Sequence, residues 1–392
     1  MDRSPESVPT VHYDHRDDES RNDPWPRWEG MRGKHPVLFS DAYGGFYVVS
    51  RYRDVADAAR DTDAFSSAIG STTIPEFPTP KLPPIHSDPP DARYWREIIN
   101  PHFSPTKVAE YETWIRELVA DVVDPLLKSA RFNVPQDIGV PLTRQVILRI
   151  MGIIEAPEQL NAWTDAMVFD VGEEAEQAGL ALIGFLAGVL AQRRKDPGSD
   201  LISDMLTQRL QPEDRLLTDE EILKLMLLTL GAALETTSSA ISAMICYLVG
   251  HPGDIAWLRA EPEIWRPAMD EFVRWASPAT CLARTARYNT AVSGCPIPAG
   301  SRVMLLYASG NHDEEEFPEP DRVILDRNPN RHLGFGMGPH RCLGSHLAKA
   351  QMALTLERLL PHLDKWRIED PERIRWTAAV TRGMTSVFLV RE

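Results

Sequence analysis

Residues 332–344 read HLGFGMGPHRCLG and lead directly into a helical pattern. Glycine at this density allows backbone conformations that a β-carbon would forbid. Cys342 lies where the first N–H groups of the following helix and the positive end of its dipole stabilise an anion. We therefore expect the thiolate form of Cys342 to be favoured. A structural cysteine beside the start of a helix would leave the glycines unexplained.

A thiolate inside a glycine loop has three common uses. It attacks as a nucleophile, here with His340 as the candidate base, or it binds zinc, here with His332, His340 and His346. It is also the axial ligand of haem iron in one class of haem proteins. The spacing of the histidines matches none of the usual structural zinc patterns. The residues alone leave these uses open.

The longer stretch FGMGPHRCLGSHLA, residues 335–348, resembles the haem-binding FGxGxHxCxGxxLA signature of the bacterial cytochromes P450, the haem-thiolate monooxygenases. The resemblance implies haem b as the cofactor, Cys342 as the iron ligand, Phe335 packed near the sulfur and His340 bonded to a haem propionate. The residues that it places at the haem in this loop are Cys342, His340, Phe335, Gly336 and Gly344. Gln351 replaces a glutamate that many relatives carry, and we expect this change to affect a surface contact at most.

A long helix is predicted upstream of this loop. Thr218-Asp219-Glu220-Glu221 is typical of a capping box, and the helix can continue to Gly250-His251-Pro252. Leu225–Leu234 is apolar on nearly every face, which predicts burial, but Glu235-Thr236-Thr237-Ser238-Ser239 interrupts the run. Such polarity is costly in a core unless it is satisfied locally or used. In one interpretation these polar groups are satisfied locally: the hydroxyls bond to carbonyls one turn earlier and Glu235 forms an ion pair. In a second interpretation they are used, as a proton relay.

The second use agrees with the resemblance, because Ala232-Ala233-Leu234-Glu235-Thr236 is similar to the (A/G)GxxT motif of the cytochromes P450. The resemblance implies that Glu235 and Thr236 are catalytic and deliver protons during dioxygen activation. It places Ala232 and Ala233 beside the haem. Ala233 stands where relatives usually carry glycine at a distortion of the helix, which leaves the shape of the oxygen groove open.

Charged residues complete the resemblance. Glu271 and Arg274 are three residues apart on one predicted helix face and match the ExxR pair of the family, a structural network that Arg327 completes. Taken alone, such a pair would be surface decoration. The segment around Arg327 departs from the family at Val323, where phenylalanine is commoner.

Two further arginines match positions that bind the haem propionates, for which arginine forks are well suited. Arg284 corresponds to the arginine before the GxxIPAG turn, and Arg96 corresponds to the end of the DPPxHxxxR segment. In that segment Ala92 replaces the usual histidine. One propionate bond is therefore missing or is supplied elsewhere, for which Trp95 is a candidate.

The rest of the chain predicts a single α+β domain, mostly α, over residues 24–392, with a small β-rich subdomain; the resemblance makes this a cytochrome P450 fold. Residues 1–23 are polar and acidic and predict a flexible arm. Residues 36–50 predict a β-hairpin around Tyr43-Gly44-Gly45. Residues 66–90 hold seven prolines and predict a long irregular loop that covers a site. From residue 91 to about 252 the apolar spacing is mostly helical.

Composition excludes several classes of function. The 392 residues include 42 Lys and Arg against 57 Asp and Glu, and the net charge of −15 is the wrong sign for a nucleic-acid partner. Four cysteines without a CxxC pair indicate neither a disulfide framework nor a zinc ribbon and favour a reducing cytoplasm. We find no run of 18 uninterrupted apolar residues, so we expect a soluble protein without a membrane span.

Together these patterns predict a monooxygenase that uses dioxygen to hydroxylate an apolar small molecule. Because the chain shows no flavin or ferredoxin module, electrons would come from a separate ferredoxin and its reductase. A basic patch of Arg93, Arg96, Arg331, Arg341 and Lys349 would suit an acidic ferredoxin, although scattered surface charge explains these residues as well. The candidate pocket residues, which plain core packing also explains, are Leu234, Thr280, Cys281, Leu282 and Met384.

Two alternatives remain at this stage. A peroxide-driven hydroxylase of the same fold is one, but those relatives lack the acid–alcohol pair that Glu235 and Thr236 supply. A haem-based gas or redox sensor without catalysis is the other, and the long loop and the lack of an output domain disfavour it.

Overall fold

Helices dominate the chain because apolar residues recur every three or four positions, which gives each helix one face to bury. The structure is a computed structural model that describes residues 8–76, 80–169 and 172–392, without the side chains of residues 167–169. In the described residues the helices are α1 Asp18–Asn22, α2 Trp25–Lys34, α3 Tyr52–Arg60, α4 Asp91–Ile99, α5 Pro105–Leu126, α6 Val140–Met151, α7 Leu160–Phe169, α8 Glu173–Lys195, α9 Leu201–Met205, α10 Asp219–Val249, α11 Pro252–Ala260, α12 Trp265–Ala276, α13 Tyr307–Asn311 and α14 Ser345–Leu359.

The strands are short and lie mainly beside the helical body. They are β1 Thr10–Val11, β2 Val37–Ser40, β3 Phe46–Val49, β4 Phe65–Ser66, β5 Arg131–Asn133, β6 Arg209–Leu210, β7 Arg215–Leu216, β8 Leu282–Ala286, β9 Thr290–Val292, β10 Cys295–Ile297, β11 Arg302–Leu305, β12 Trp366–Ile368, β13 Arg375–Trp376, β14 Met384–Ser386 and β15 Phe388–Arg391.

The largest sheet has the order β1-β2-β3-β11-β8-β4, and a three-stranded sheet has the order β12-β15-β5. Strands β2 and β3 pair antiparallel, which confirms the hairpin predicted for residues 36–50. The predicted fold class, α+β and mostly α, is confirmed.

Helix α10 is the centre of the helical body. It has 31 residues, roughly 45 Å at ~1.5 Å per residue, and its capping box is formed as predicted. The Thr218 hydroxyl accepts from the Glu221 N–H at 3.3 Å, and the Glu221 carboxylate accepts from the Thr218 N–H at 2.8 Å. Most of its residues are buried against α6, α8, α12 and α14. This placement puts the polar interruption at residues 235–239 inside the fold.

Glu271, Arg274 and Arg327 form the predicted network, and it is buried. Arg274 donates two hydrogen bonds to the Glu271 carboxylate, at 2.8 and 2.9 Å, and neither side chain is exposed. Arg327 donates to the same carboxylate at 3.0 Å. Arg274 also donates to the carbonyls of Asn311 and Pro320. The network therefore fastens α12 to the irregular segment that leads into the cysteine loop.

The described part of the predicted N-terminal arm is folded, which contradicts the prediction for residues 8–23. Strand β1 runs parallel to β2, and the carboxylate of Asp17 caps α1 by accepting from Ser20 N–H at 2.7 Å. Tyr13 is fully buried, and its hydroxyl accepts from Trp28 Nε1 at 3.1 Å. The acidic composition of this segment predicts disorder, but the burial of the Tyr13 side chain holds the segment against the fold. Residues 1–7 lie outside the described residues.

The loop predicted over residues 66–90 is irregular in its described parts, residues 66–76 and 80–90, and it is fastened to the largest sheet. Arg302 on β11 donates to the carbonyl of Thr73 at 3.1 Å, and Ala283 on β8 donates to the carbonyl of Thr72 at 2.7 Å. His86 connects the two described parts of the loop, because its Nδ1 accepts from the Leu82 N–H at 2.9 Å and its Nε2 lies 3.1 Å from Thr72 Oγ1.

Two described helices, α8 and α10, are long and apolar enough to cross a membrane by length and composition alone. The most apolar window of α10 is 67% buried inside the fold, as in the core helix of a soluble protein, whereas that of α8 is 17% buried. Neither helix contains 18 uninterrupted apolar residues, because polar residues interrupt both apolar runs. One or two such helices are weak support for a membrane span.

Candidate haem site

The cysteine loop folds back on itself immediately before α14. The Cys342 N–H donates to the Phe335 carbonyl at 2.7 Å, and the Gly336 N–H donates to the Leu333 carbonyl at 2.7 Å. Gly338 has a φ of +70°, and a β-carbon there would lie 2.8 Å from the carbonyl oxygen of Ala59 on α3. The glycine is therefore required by both the backbone angle and the close approach of α3.

Two opposing effects act on the thiol of Cys342. Burial raises its pKa, while the N–H groups of Gly344 and Ser345 and the charges of Arg96 and Arg341 lower it. Burial prevails, so the expectation that the loop alone favours the thiolate was wrong: the helix start only reduces the penalty. Residue Cys342 as a whole nevertheless keeps exposed surface. A cation bonded to the sulfur would favour the thiolate, as in metal sites generally.

Two arginines and a histidine lie close to one another at the cysteine loop. The charge of Arg96 acts on Cys342, and both Arg96 and Arg284 act on His340. Burial, followed by Arg284, lowers the pKa of His340 to about 4. Its Nε2 is buried without a hydrogen-bond partner. Arg284 is 1% exposed and donates to the carbonyl of Ala283 at 2.8 Å. Buried cationic groups with few hydrogen-bond partners suit a ligand that carries carboxylates, as haem does in its two propionates.

The structure adds His86 to this group, a residue that the sequence analysis did not single out. Ala92, which replaces the usual histidine, is 1% exposed and has no side-chain donor. His86 approaches from the 66–90 loop instead, close enough for its charge to act on His340. Burial and the charge of Lys81 lower its pKa to about 4. No motif marks His86, and only its place in the loop, two residues before Asp88, could have suggested it.

The middle of α10 is open on one side. Ala232 is exposed and Ala233 and Thr236 are half-buried, although the turns before and after them are buried. The Thr236 hydroxyl donates to the Ala232 carbonyl at 2.9 Å, which is the local satisfaction that the sequence offered as one alternative. The helix is continuous at Ala233. A core helix with an exposed alanine at its centre borders an internal cavity, and small side chains there leave room for a flat group.

Glu235 has no ion pair in the described structure, so the interpretation in which an ion pair satisfies this carboxylate is wrong. Its carboxylate accepts from Ser239 Oγ at 2.8 Å, and its Oε2 is buried without a partner. Burial raises the pKa of Glu235 to about 7; the hydroxyls of Ser239 and Thr381 oppose this effect, and the charge of Asp165 adds to it. The carboxyl therefore exchanges a proton near neutral pH.

The structure brings some of the predicted pocket residues together and not others. Leu234 and Met384 line the same cavity as Glu235. Leu282 is half-buried at the start of β8. Thr280 is buried and donates to the carbonyl of Ala379 at 2.9 Å. Cys281 is 1% exposed in a core cluster with Tyr13 and does not reach the cavity.

The alternatives for Cys342 gain no support. No cluster of three or more His, Cys, Asp or Glu that could hold a metal ion occurs among the described residues. His332 faces Asp270 at 3.3 Å instead. The Nε2 of His340 is buried without a hydrogen-bond partner, so the structure does not pair it with the Cys342 sulfur as a base. Gln351 lies on the buried face of α14, 3% exposed, so the expectation of a surface contact was wrong.

Several residues of the predicted basic patch make contacts within the protein. Arg93 pairs with a glutamate one turn later at 2.8 Å, Lys349 pairs with an aspartate at 3.0 Å, and Arg96 acts on the buried sulfur. Arg331 and Arg341 remain exposed. The sequence could not separate these roles, because they depend on neighbours from other elements.

Known proteins resemble this chain in both sequence and fold. The cytochrome P450 family profile matches residues 163–375. Steroid C26-monooxygenases of Mycolicibacterium smegmatis and Mycobacterium tuberculosis are 31% and 32% identical to this chain, and the alignments cover 88% and 87% of it and 86% of each relative. The crystal structure of CYP109E1 from Bacillus megaterium in complex with testosterone matches with a TM-score of 0.86 and 26% identity, over 95% of this chain and 99% of that chain.

The profile covers more than half of the chain, and the curated relatives exceed 30% identity over nearly all of it. The chain therefore belongs to the cytochrome P450 family of haem-thiolate monooxygenases, with haem b as its cofactor and dioxygen as its co-substrate.

Proposed function

We propose that this enzyme inserts one atom of dioxygen into an apolar small organic substrate, with electrons from a separate ferredoxin and ferredoxin reductase. The observation that carries the proposal is the opening at the centre of α10. Ala232 is exposed there although the helix lies in the core, and Glu235 and Thr236 follow it within one turn. Interiors are close-packed, so such an opening indicates a space kept for a cofactor and a substrate.

The residues that would hold haem b are Cys342, through its sulfur, and Arg96, Arg284 and His340, through the propionates. Bound haem supplies the oxidising chemistry. The chain keeps the sulfur away from bulk solvent and directs the N–H groups of Gly344 and Ser345 toward it. These N–H groups stabilise negative charge on the sulfur, which tunes the ligand.

Glu235 and Thr236 are the proposed catalytic pair. The raised pKa of Glu235, about 7, lets its carboxyl hold and release a proton near neutral pH. The Thr236 hydroxyl donates to the Ala232 carbonyl, so its oxygen remains able to accept a hydrogen bond. The pair places a proton donor and a hydroxyl side by side at the opening of α10. A peroxide-driven enzyme would need neither.

The substrate we propose is neutral and apolar, and steroids are the first class to test. Leu234 and Met384 supply apolar surface beside Glu235, and Ile69 on the 66–90 loop is 44% exposed. Two relatives are named steroid C26-monooxygenases, and CYP109E1 was solved with testosterone. The protein should be titrated with steroids, terpenes and fatty acids. Steroids should produce the low-to-high-spin shift of the Soret band at the lowest concentration.

Turnover under labelled dioxygen tests the reaction itself. With reduced ferredoxin, reductase and a substrate that shifts the Soret band, the product should carry one labelled oxygen atom per molecule. Turnover with hydrogen peroxide but none with the reduced ferredoxin would overturn the proposed electron supply. A Soret shift without any product under both conditions would instead indicate a sensor.

We also propose a cytoplasmic location and docking of the ferredoxin on the face that bears Arg341. The charge of Arg341 acts on both Cys342 and His346, so this arginine lies close to the sulfur. Short distance favours electron transfer to the iron ligand. Cell fractionation would check the location, since the exposed apolar side of α8 makes membrane association the outcome to look for.

A further inference from the structure

The cavity that Glu235 shares with Leu234 and Met384 lies between α6, α7, α10 and β14; apolar and polar side chains both line it, and we call it the chamber. Its polar lining includes Asn161, Thr164 and Asp165 of α7, Ser238 and Ser239 of α10, and Thr385 of β14. About 60 Å³ of it is open to water, which is room for a few molecules because one needs roughly 10–15 Å³. Polar walls next to a helical core are costly unless water or another polar group meets them.

Two polar atoms of residues that line this chamber have unmet hydrogen-bonding capacity. Glu235 Oε2 and Asn161 Oδ1 are both buried without a partner. Buried polar atoms of this kind are usually satisfied by ordered water. Glu235 belongs to the chamber lining, so its carboxyl lies next to the space that water in the chamber would fill.

The turn between β13 and β14 closes one side of the carboxyl. A β-carbon at Gly383 would lie 1.9 Å from Ser239 Oγ and 2.4 Å from Glu235 Oε1, so only glycine lets the turn approach this closely. The Gly383 N–H donates to Thr377 Oγ1 at 3.0 Å, which fixes the turn in place. Gly383 therefore acts as a positioning residue that holds the Glu235 and Ser239 side chains together.

Asp165 connects the chamber with solvent. It is exposed and also lines the chamber, whereas Thr164 beside it is buried. Of the charged residues around Glu235, Asp165 is the one whose charge acts on it; α6 and the β13–β14 turn contribute the hydroxyls of Thr143, Thr377 and Thr381. An exposed acid at the outside and a buried acid at the inside are the two ends that a proton path requires.

We propose that protons reach Glu235 from the α7 side: Asp165 takes a proton from solvent and passes it through water in the chamber to the Glu235 carboxylate. Each transfer moves one proton and no electron. Asp165 returns to the carboxylate as Glu235 becomes the carboxylic acid, which then releases its proton toward Thr236. The inference deepens the proposed function and rests on the role given there to Glu235.

Infrared difference spectroscopy of the ferric holoenzyme during a pH titration tests the path without turnover. The carbonyl band of the protonated Glu235 should be absent in Glu235→Gln, which identifies it. In Asp165→Asn its pH midpoint should fall, because the negative charge that disfavours ionisation of Glu235 is gone. The matched control is Glu158→Gln, which removes the same charge from an exposed residue outside the chamber and should leave the midpoint unchanged.

Turnover supplies the second measurement. Asp165→Asn should slow product formation several-fold, enlarge the solvent deuterium isotope effect and divert more electrons into hydrogen peroxide. Gly383→Ala should show the same isotope effect without a change of charge. A wild-type midpoint and isotope effect in Asp165→Asn would overturn the path. If Glu235→Gln itself keeps the wild-type rate and isotope effect, the proposed role of Glu235 fails instead, so the two failures are distinguishable.

Discussion

At the scale of single residues, Cys342 carries the first prediction. Its pKa is raised by burial, and the N–H groups at the start of α14 only reduce that effect, so iron ligation is what favours the thiolate. Reduced protein with carbon monoxide should show the red-shifted absorption of thiolate ligation, and Cys342→Ala should lose it. Cys295→Ala, at a half-buried cysteine of β10, is the control. A band that survives Cys342→Ala would contradict the site.

Glu235 carries a prediction about stability. Its pKa is raised from 4.5 to about 7 in the folded protein, so the folded state binds more protons than the unfolded state between these values. The free energy of unfolding therefore falls as pH rises from about 4.5 to 7, by roughly 3 kcal/mol at most. Denaturant unfolding of wild type and Glu235→Gln at pH 5 and pH 7 should show that the variant gains stability relative to wild type at the higher pH.

The difference between the two proteins is the quantity to measure, because other groups titrate in this range. His340 and His86 have pKa values lowered to about 4, mainly by burial. The unfolded state takes up their protons first as pH falls, so they add stability that rises with pH above about 4. Their contribution is common to wild type and variant and cancels. An equal pH slope in both proteins would contradict the raised pKa of Glu235.

At the scale of elements, the buried network on α12 decides how the cysteine loop is held. Glu271 is fully buried between Arg274 and Arg327. Glu271→Ala leaves two arginines buried without their carboxylate, which should lower the free energy of unfolding by about 3–5 kcal/mol. The control Arg116→Ala breaks an exposed pair with Glu357 and should cost under about 1 kcal/mol. Urea unfolding measures both, and equal losses would contradict the network.

The contact between the cysteine loop and α3 depends on Gly338. Its φ of +70° and the 2.8 Å approach of its β-carbon position to the Ala59 carbonyl leave no room for a side chain. Gly338→Ala should cost about 1–3 kcal/mol and speed the loss of haem to an acceptor protein. Gly253→Ala, at a position with open space and no positive φ, is the matched control. Unchanged haem retention in Gly338→Ala would show that α3 adjusts.

At the scale of the whole molecule, the fold could be predicted where local rules act. The capping box at Thr218, the hairpin at residues 36–50 and the glycine loop before Cys342 depend on neighbours within a few positions, and each is present. The N-terminal segment could not be predicted, because Tyr13 is fixed by Trp28 from another element. The mean hydropathy of α8 is high although polar residues interrupt its apolar run, so a search for uninterrupted runs does not register it.

The site shows the same limit. Cys342, His340 and the two arginines come from motifs, and the structure brings them to one place. The buried state of Gln351 and the contact of His86 with this group follow from tertiary packing, which no local pattern encodes. The electrostatics of Cys342 could not be predicted either, since burial outweighs the helix start that the sequence displays.

The distribution of charge over the molecule gives the last prediction. The net charge of −15 would repel the acidic ferredoxin proposed above at long range, so on this proposal productive encounters depend on the exposed Arg331 and Arg341. Arg341→Glu should lower the association rate of reduced ferredoxin about ten-fold at low salt, and added salt should shrink the difference. Arg367→Glu on β12 makes the same change of net charge and is the control. An equal loss in both variants, measured by stopped-flow reduction, would assign the effect to net charge and leave the docking face elsewhere.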